Sequence, residues 1–124
     1  MGVTYNNTVK DNRMTQVLNA IDGGAAAGYI EICSAAYAAV LATITLSDPC
    51  GSVSAQALTF TMPKSDTNAD APGTAAIARI KDSDGNIIVS GLTVGTGGTD
   101  IVLTSLAITA GDTVTINTAV ITHA

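Results

Sequence analysis

Met14–Cys33, MTQVLNAIDGGAAAGYIEIC, changes periodicity half-way along. Met14, Val17, Leu18 and Ile21 recur at i, i+3, i+4 and i+7, which makes one apolar stripe on an α-helix. Gly23-Gly24 then ends the helix, because glycine readily takes the left-handed conformation that follows a helix C-terminus. From Tyr29 the spacing is two, with Ile30 and Ile32 on one side and Glu31 on the other. The pattern predicts a helix over 11–22, capped by Thr8 or Asp11, that hands over to β-strands. Residues 1–10 are polar and read as an extended N-terminal arm.

The period of two persists downstream. Val40, Ala42, Ile44 and Leu46 share a face opposite Thr43 and Thr45, and Leu58, Phe60 and Met62 share one opposite Thr59 and Thr61. Turn residues punctuate the strands: Asp48-Pro49-Cys50-Gly51, a polar loop from Pro63 to Gly73, Gly95 to Gly98, and Ala110-Gly111-Asp112. Asp84-Gly85 between Ile80 and Ile87 reads as a hairpin with a type I′ turn. About seven strands follow the helix. The expected fold is mainly β: an antiparallel β-sandwich or jelly-roll-like domain with one short N-terminal helix, a single domain over 11–124.

Composition bounds what such a domain can do. Aromatic residues make up 3% of the 124 residues, namely Tyr5, Tyr29, Tyr37 and Phe60. Large rings usually bury about 150–250 Å² each, so a core of Ala, Thr, Val and Ile is a thin one that gains from packing against neighbours. Ten acids against five bases give a net charge of −5. DNA binding needs clustered cations that displace counterions; here Lys10 and Arg13 form one small group and Arg79 and Lys81 another, so no nucleic-acid partner is expected. No run approaches the ~20 apolar residues of a membrane helix, so no membrane partner is expected either. The start, Met-Gly-Val-Thr-Tyr-Asn-Asn, lacks the basic and apolar regions of a secretory leader. Synthesis in the cytosol is the expectation, with Cys33 and Cys50 kept as thiols.

Five constellations could carry chemistry, and each falls short. Asp82-Ser83-Asp84-Gly85-Asn86 places oxygen ligands at alternate positions, yet a calcium loop needs Gly sixth and Glu twelfth, where this chain has Gly fourth and Thr93 twelfth. Gly91, Gly95, Gly97 and Gly98 lack the Lys-Ser/Thr and the helix of a phosphate loop. A nucleophilic triad would have to use His123, next to the C-terminus, and no serine sits in a Gly-x-Ser-x-Gly elbow. One His and two Cys are too few for a closed zinc site, and Glu31 is the sole glutamate for paired-carboxylate work. No catalytic residue, cofactor or metal is expected, and the chain reads as a building block.

Several stretches carry a resemblance: Arg13-Met14, Leu18 to Ile32, Leu41 to Pro49, Ala71 to Gly85 and Ile108 to Ile116. Together they resemble small structural proteins of tailed bacteriophages. The resemblance spans about residues 12–123. It implies a virion setting, in which such β proteins act as capsid decoration or cement proteins, often as trimers on the outside of the head; others sit in the neck, tail or fibre. The implied partners are the major capsid protein and sister subunits in a homotrimer, on the surface of a particle made in the host cytoplasm. A carbohydrate-binding module for host attachment is a further alternative. The chain departs from the pattern at Ile32–Ala39, where Cys33-Ser34-Ala35-Ala36-Tyr37 replaces an expected loop bearing Asp and Pro, and it is shorter around 50–58. The arm and helix are the expected assembly contacts: Tyr5, Lys10, Arg13, Met14, Val17, Leu18 and Ile21. A three-turn helix is marginal alone in water, so its stripe must be buried against something, and its own sandwich is the competing site.

Overall fold

The computed structural model describes residues 6–23, 27–47 and 50–122. Tyr5, the Asp48-Pro49 half of a turn and His123 fall outside them. The helix α1 spans Asn7–Ile21, so it begins four residues earlier than the periodicity predicts and takes up the second half of the expected arm. The cause is Asn6, whose side chain accepts the Val9 N–H at 2.8 Å. Asparagine is among the best N-caps, and it satisfies a donor that the first turn would otherwise leave unpaired.

Eleven strands follow among the described residues: β1 (Tyr29–Cys33), β2 (Val40–Thr45), β3 (Gly51–Ser54), β4 (Ala57–Phe60), β5 (Lys64–Asp66), β6 (Gly73–Thr74), β7 (Ile77–Lys81), β8 (Ile87–Gly95), β9 (Ile101–Leu103), β10 (Ala107–Ile108) and β11 (Val114–Thr122). The excess over seven lies in pieces of two to four residues. A segment that short shows no period, and β5 and β6 occupy the stretch that reads as a polar loop. The main sheet runs β2-β1-β7-β8-β9-β11-β4-β3, with β5 also on β11 and β6 paired to β10. The domain is mainly β and sandwich-like, with one N-terminal helix.

The sheet is mixed rather than purely antiparallel, because β8 and β9 pair in parallel through Val94↔Ile101 and Gly95↔Val102. The segment between them is a loop and not a hairpin. Thr93 N–H donates to Asp100 Oδ2 and Asp100 N–H donates to Thr93 Oγ1, both at 3.0 Å. This reciprocal clasp returns the chain to the sheet in its original direction.

The sheet curls until β2 meets β5. No backbone ladder closes this seam. Thr43 N–H donates to Asp66 Oδ2 at 3.0 Å, Thr43 Oγ1 donates to Asp70 Oδ2 at 3.2 Å, and Asp70 N–H donates to the Leu41 carbonyl at 2.7 Å. The same segment covers Leu41, which is fully buried although it lies opposite Ala42 and Ile44 on its strand. A bare β2 edge would offer unpaired groups to other strands; aspartates and a loop cover it here.

One aliphatic core joins both halves, built from Ile30, Ile32, Ile44, Leu58, Ile80, Ile101, Leu103 and Ile116, with Phe60 as its aromatic member. Helix α1 adds Met14 and Ile21, with Val17 and Leu18 packed against the cluster, and it lies against β3, β4 and β8. Burying a side chain of this size contributes about 1.5–3 kcal/mol, enough to hold a helix of marginal intrinsic stability. Two aspartates fix its position. Asp11 Oδ1 accepts the Gln56 N–H at 2.8 Å, and the Asp22 carboxylate accepts the Cys50 N–H at 3.2 and 3.3 Å. Gly51 sits where the β3–β4 pair runs closest, since a Cβ there would fall on the Thr59 carbonyl oxygen.

The β3–β4 hairpin turns through Ala55 (φ 50°) and Gln56 (φ 62°), both left-handed without being glycine. Asn-Gly is the residue pair that this two-residue turn favours. Replacing Ala55→Asn and Gln56→Gly together should therefore stabilise the domain by about 1 kcal/mol and raise Tm by a few degrees. An unchanged or lower Tm in calorimetry would count against the strain at this turn.

Candidate functional site

The densest group of charge lies on the outer side of β1 and β7. Antiparallel register places Glu31 opposite Arg79 and Tyr29 opposite Lys81. Residues 79 and 81 are two apart, so both cations project to the side that Glu31 occupies. Arg79 Nε reaches Glu31 Oε1 at 2.6 Å and Lys81 Nζ reaches the same oxygen at 3.2 Å. Tyr37 covers the group, with the Arg79 guanidinium 5.1 Å from its ring centroid. Its hydroxyl accepts the Gly91 N–H at 2.6 Å and donates to the Ala78 carbonyl at 3.5 Å.

Tyr37 reaches this position through strained backbone. The short 3₁₀ turn Ala35–Tyr37 holds Ala36 and Tyr37 both at φ 58°. Consecutive left-handed non-glycine residues persist only where surrounding contacts impose them, and the hydroxyl and ring contacts supply that constraint.

Electrostatically the cluster is a clamp. Burial pushes the Glu31 carboxyl up, but hydrogen bonds from Arg79 and Lys81, with the fields of both cations, outweigh it and hold the carboxyl below its ordinary value. The bond to Glu31 raises Arg79 in turn. A general acid working near neutrality needs a carboxyl raised toward that pH, and Glu31 moves the other way.

The remaining candidates divide clearly. Asp82 organises its own turn: Oδ1 accepts the Asp84 and Asn86 N–H groups at 3.0 and 2.9 Å, and Oδ2 accepts from Asn86 Nδ2 at 3.1 Å. The Asn86 side chain, then these backbone donors, lower its pKa. Of Ser83, Asp84 and Gly85, Gly85 alone has a positive φ, 91°. The hairpin is thus a three-residue loop ending in a left-handed glycine, in place of the expected type I′ turn. Cys33 and Cys50 are buried thiols, and burial pushes Cys33 up, away from the reactive thiolate. Among the described residues no three His, Cys, Asp or Glu side chains converge as a metal site. No described helix is long and apolar enough to cross a membrane. A cavity of about 30 Å³ beside Ser105, Ile108, Asp112 and Thr115 has room for one or two waters.

The expected assembly residues are not brought together. Met14 and Ile21 are core residues and Val17 and Leu18 pack on that core, so the helix stripe is spent inside its own domain. Lys10 is half-buried and Arg13 exposed along the helix. The Glu31 cluster is what the sequence reading missed. Its signal was present in the alternation Ala78-Arg79-Ile80-Lys81 and in an acid between Ile30 and Ile32; pairing β1 with β7 was the absent step.

No protein-family model, curated protein or solved structure matches the chain.

Glu31→Gln should cost about 2 kcal/mol at pH 7 in urea unfolding, between the values for exposed and fully buried pairs. Because the folded-state pKa is depressed, the contribution is complete above the unfolded value of about 4.3 and is lost as pH falls through the lower folded value. The gap between wild type and variant should therefore close in acid; an equal gap at pH 3 and pH 7 contradicts the clamp. Asp82→Ala should lower Tm, whereas calcium should leave the Tm of the wild type where it is, since a ligand of the native state would raise it.

Proposed function

We propose that the chain is a non-enzymatic structural protein of a tailed-bacteriophage virion, a decoration or cement protein on the outside of the head at joints between major capsid subunits. Its partners on this reading are the major capsid protein and sister subunits in a homotrimer, without nucleic-acid or membrane contacts, after synthesis in the host cytoplasm. The virion setting rests on the sequence resemblance. The structural role rests on one observation, the employment of the acids. Asp11, Asp22, Asp66, Asp82, Asp100 and Asp112 each hold a backbone N–H, and Glu31 holds two cations. Catalysis needs a titratable group poised for a substrate; these groups are committed to shape.

A sugar-binding role would need an exposed aromatic platform. Among the described residues Phe60 is buried, Tyr37 lies under Arg79 and Tyr29 is half-buried, which favours the structural reading. With Met14 and Ile21 inside the core, capsid contacts fall to exposed surface rather than to the helix stripe.

Quantitative mass spectrometry of purified virions tests the proposal. Hundreds of copies per particle are expected for a head protein, and heads lacking it should break at a lower temperature. A dozen copies or fewer would move it to the neck, tail or fibre, and absence from the particle would reject a virion role.

A further inference from the structure

Two cations share one carboxylate on the outer side of β1 and β7. Arg79 Nε and Lys81 Nζ both reach Glu31 Oε1, at 2.6 and 3.2 Å, so the cluster keeps one positive charge without a counter-charge. Both side chains are largely withdrawn from water, 21% and 18% exposed. A cation so placed ordinarily has its own partner, because desolvation disfavours an unpaired charge. Among the described residues no second acceptor reaches either one, which leaves the Nη edge of Arg79 and the remaining Lys81 protons open. The neighbouring acids are engaged elsewhere. Asp70, bonded to Thr43, lies beyond Glu31 on the β2 side, and the Asp82 carboxylate is turned into its own loop. Arg79 is also held in place, by the Tyr37 ring that lies against its guanidinium. Register sets Tyr29 and Ile87 on either side of Lys81. Ile87, 54% exposed, is the one exposed large hydrophobic side chain among the described residues.

We propose that Arg79, Lys81 and Ile87 form a docking site for an acidic segment of a partner protein. An Asp or Glu carboxylate of that segment bridges the Arg79 edge and Lys81, and an adjacent apolar side chain covers Ile87. Charge selects this occupant. One surplus positive charge matches a single carboxylate. A phosphate monoester would bring nearly two negative charges beside Glu31. A nucleic acid needs a run of cations to release its counterions, which a chain of net charge −5 with two cations here does not offer. Shape agrees, since the planar guanidinium edge holds a carboxylate through two parallel N–H···O bonds. Ile87 decides between a free acid and a protein. An exposed ion pair contributes little by itself, so a lone small carboxylate is held weakly, and the apolar contact at Ile87, bordered by Tyr29, supplies the rest. A partner's polypeptide carries both groups side by side. Because Tyr37 and Glu31 already fix the Arg79 rotamer, docking loses little side-chain freedom. The site does not rest on the virion reading and belongs to the isolated domain.

The probe is an acetylated, amidated pentapeptide, Gly-Ile-Asp-Ile-Gly, titrated into the isotope-labelled full chain and followed by NMR. Saturable shifts are expected at the Ile87 methyls and in β7 and β8, with a Kd of about 1 mM. The same peptide with Asn in place of Asp should bind at least ~10-fold more weakly, and raising salt from about 0.15 M to about 1 M should weaken the Asp peptide. Arg79→Gln and Lys81→Gln should each weaken binding at least ~5-fold, and Ile87→Ser, at an exposed position, at least ~3-fold. Lys64→Gln, in β5, should leave it unaltered. Circular dichroism checks that the variants fold. Should Arg79→Gln unfold, Ile87→Ser and the Asn peptide decide on their own. Absence of saturable shifts up to about 10 mM peptide overturns the proposal. So does equal binding of the Asn peptide, binding of inorganic phosphate at the same signals as tightly as the Asp peptide, or a loss in Lys64→Gln as large as in Lys81→Gln.

Discussion

Carboxylate oxygens accepting backbone N–H groups hold this fold together where strand pairing cannot. The strands are short, and each element end leaves donors that a longer ladder would have paired. Aspartate meets them at the critical joints: Asp66 at the β2–β5 seam, Asp11 and Asp22 at the two ends of the helix where it meets the β3–β4 hairpin, and Asp100 at the re-entry of β9. Such bonds have an ionised acceptor and are stronger than neutral ones. Without the seam contacts β2 would be a bare edge; without the helix contacts Met14 and Ile21 would lose their fixed place in the core.

The arrangement accounts for the composition. A core with Phe60 as its aromatic member gains less burial per residue than one built on rings, so the chain relies on many small aliphatic contacts and on ties at segment ends. It also accounts for the sparse chemistry. Acids that define loops are held in place by the backbone N–H groups they accept. The Glu31–Arg79–Lys81 cluster follows the same logic on the sheet surface, where the shared ion pairs and Tyr37 lock strands β1, β7 and β8 together.

Two contrasting outer faces result. One presents the Glu31–Arg79–Lys81 cluster, with two cations on one carboxylate, and the strained Ala36–Tyr37 turn; the other exposes the hydroxyls of Thr59 and Thr118 on β4 and β11.

The amino-acid sequence alone determined the fold class, the single helix and most of the buried rows, because periods of 3.6 and 2 are local and survive without any knowledge of partners. Ile30, Ile32, Ile44, Leu58 and Phe60 are buried as their alternation requires. It also showed Asp82–Asn86 to be a turn, though not which kind, since Gly85 rather than both central residues takes the positive φ. Tertiary structure decided the rest. Asn6 rather than Thr8 or Asp11 caps the helix, a choice among equally suitable side chains that depends on where the chain enters. The parallel β8–β9 pair depends on a clasp between Thr93 and Asp100 that no local pattern announces. The fate of the helix stripe and the meeting of Glu31 with Arg79 are both pairings between segments distant in sequence. A sequence records which faces must be buried; only the folded chain settles what each is buried against.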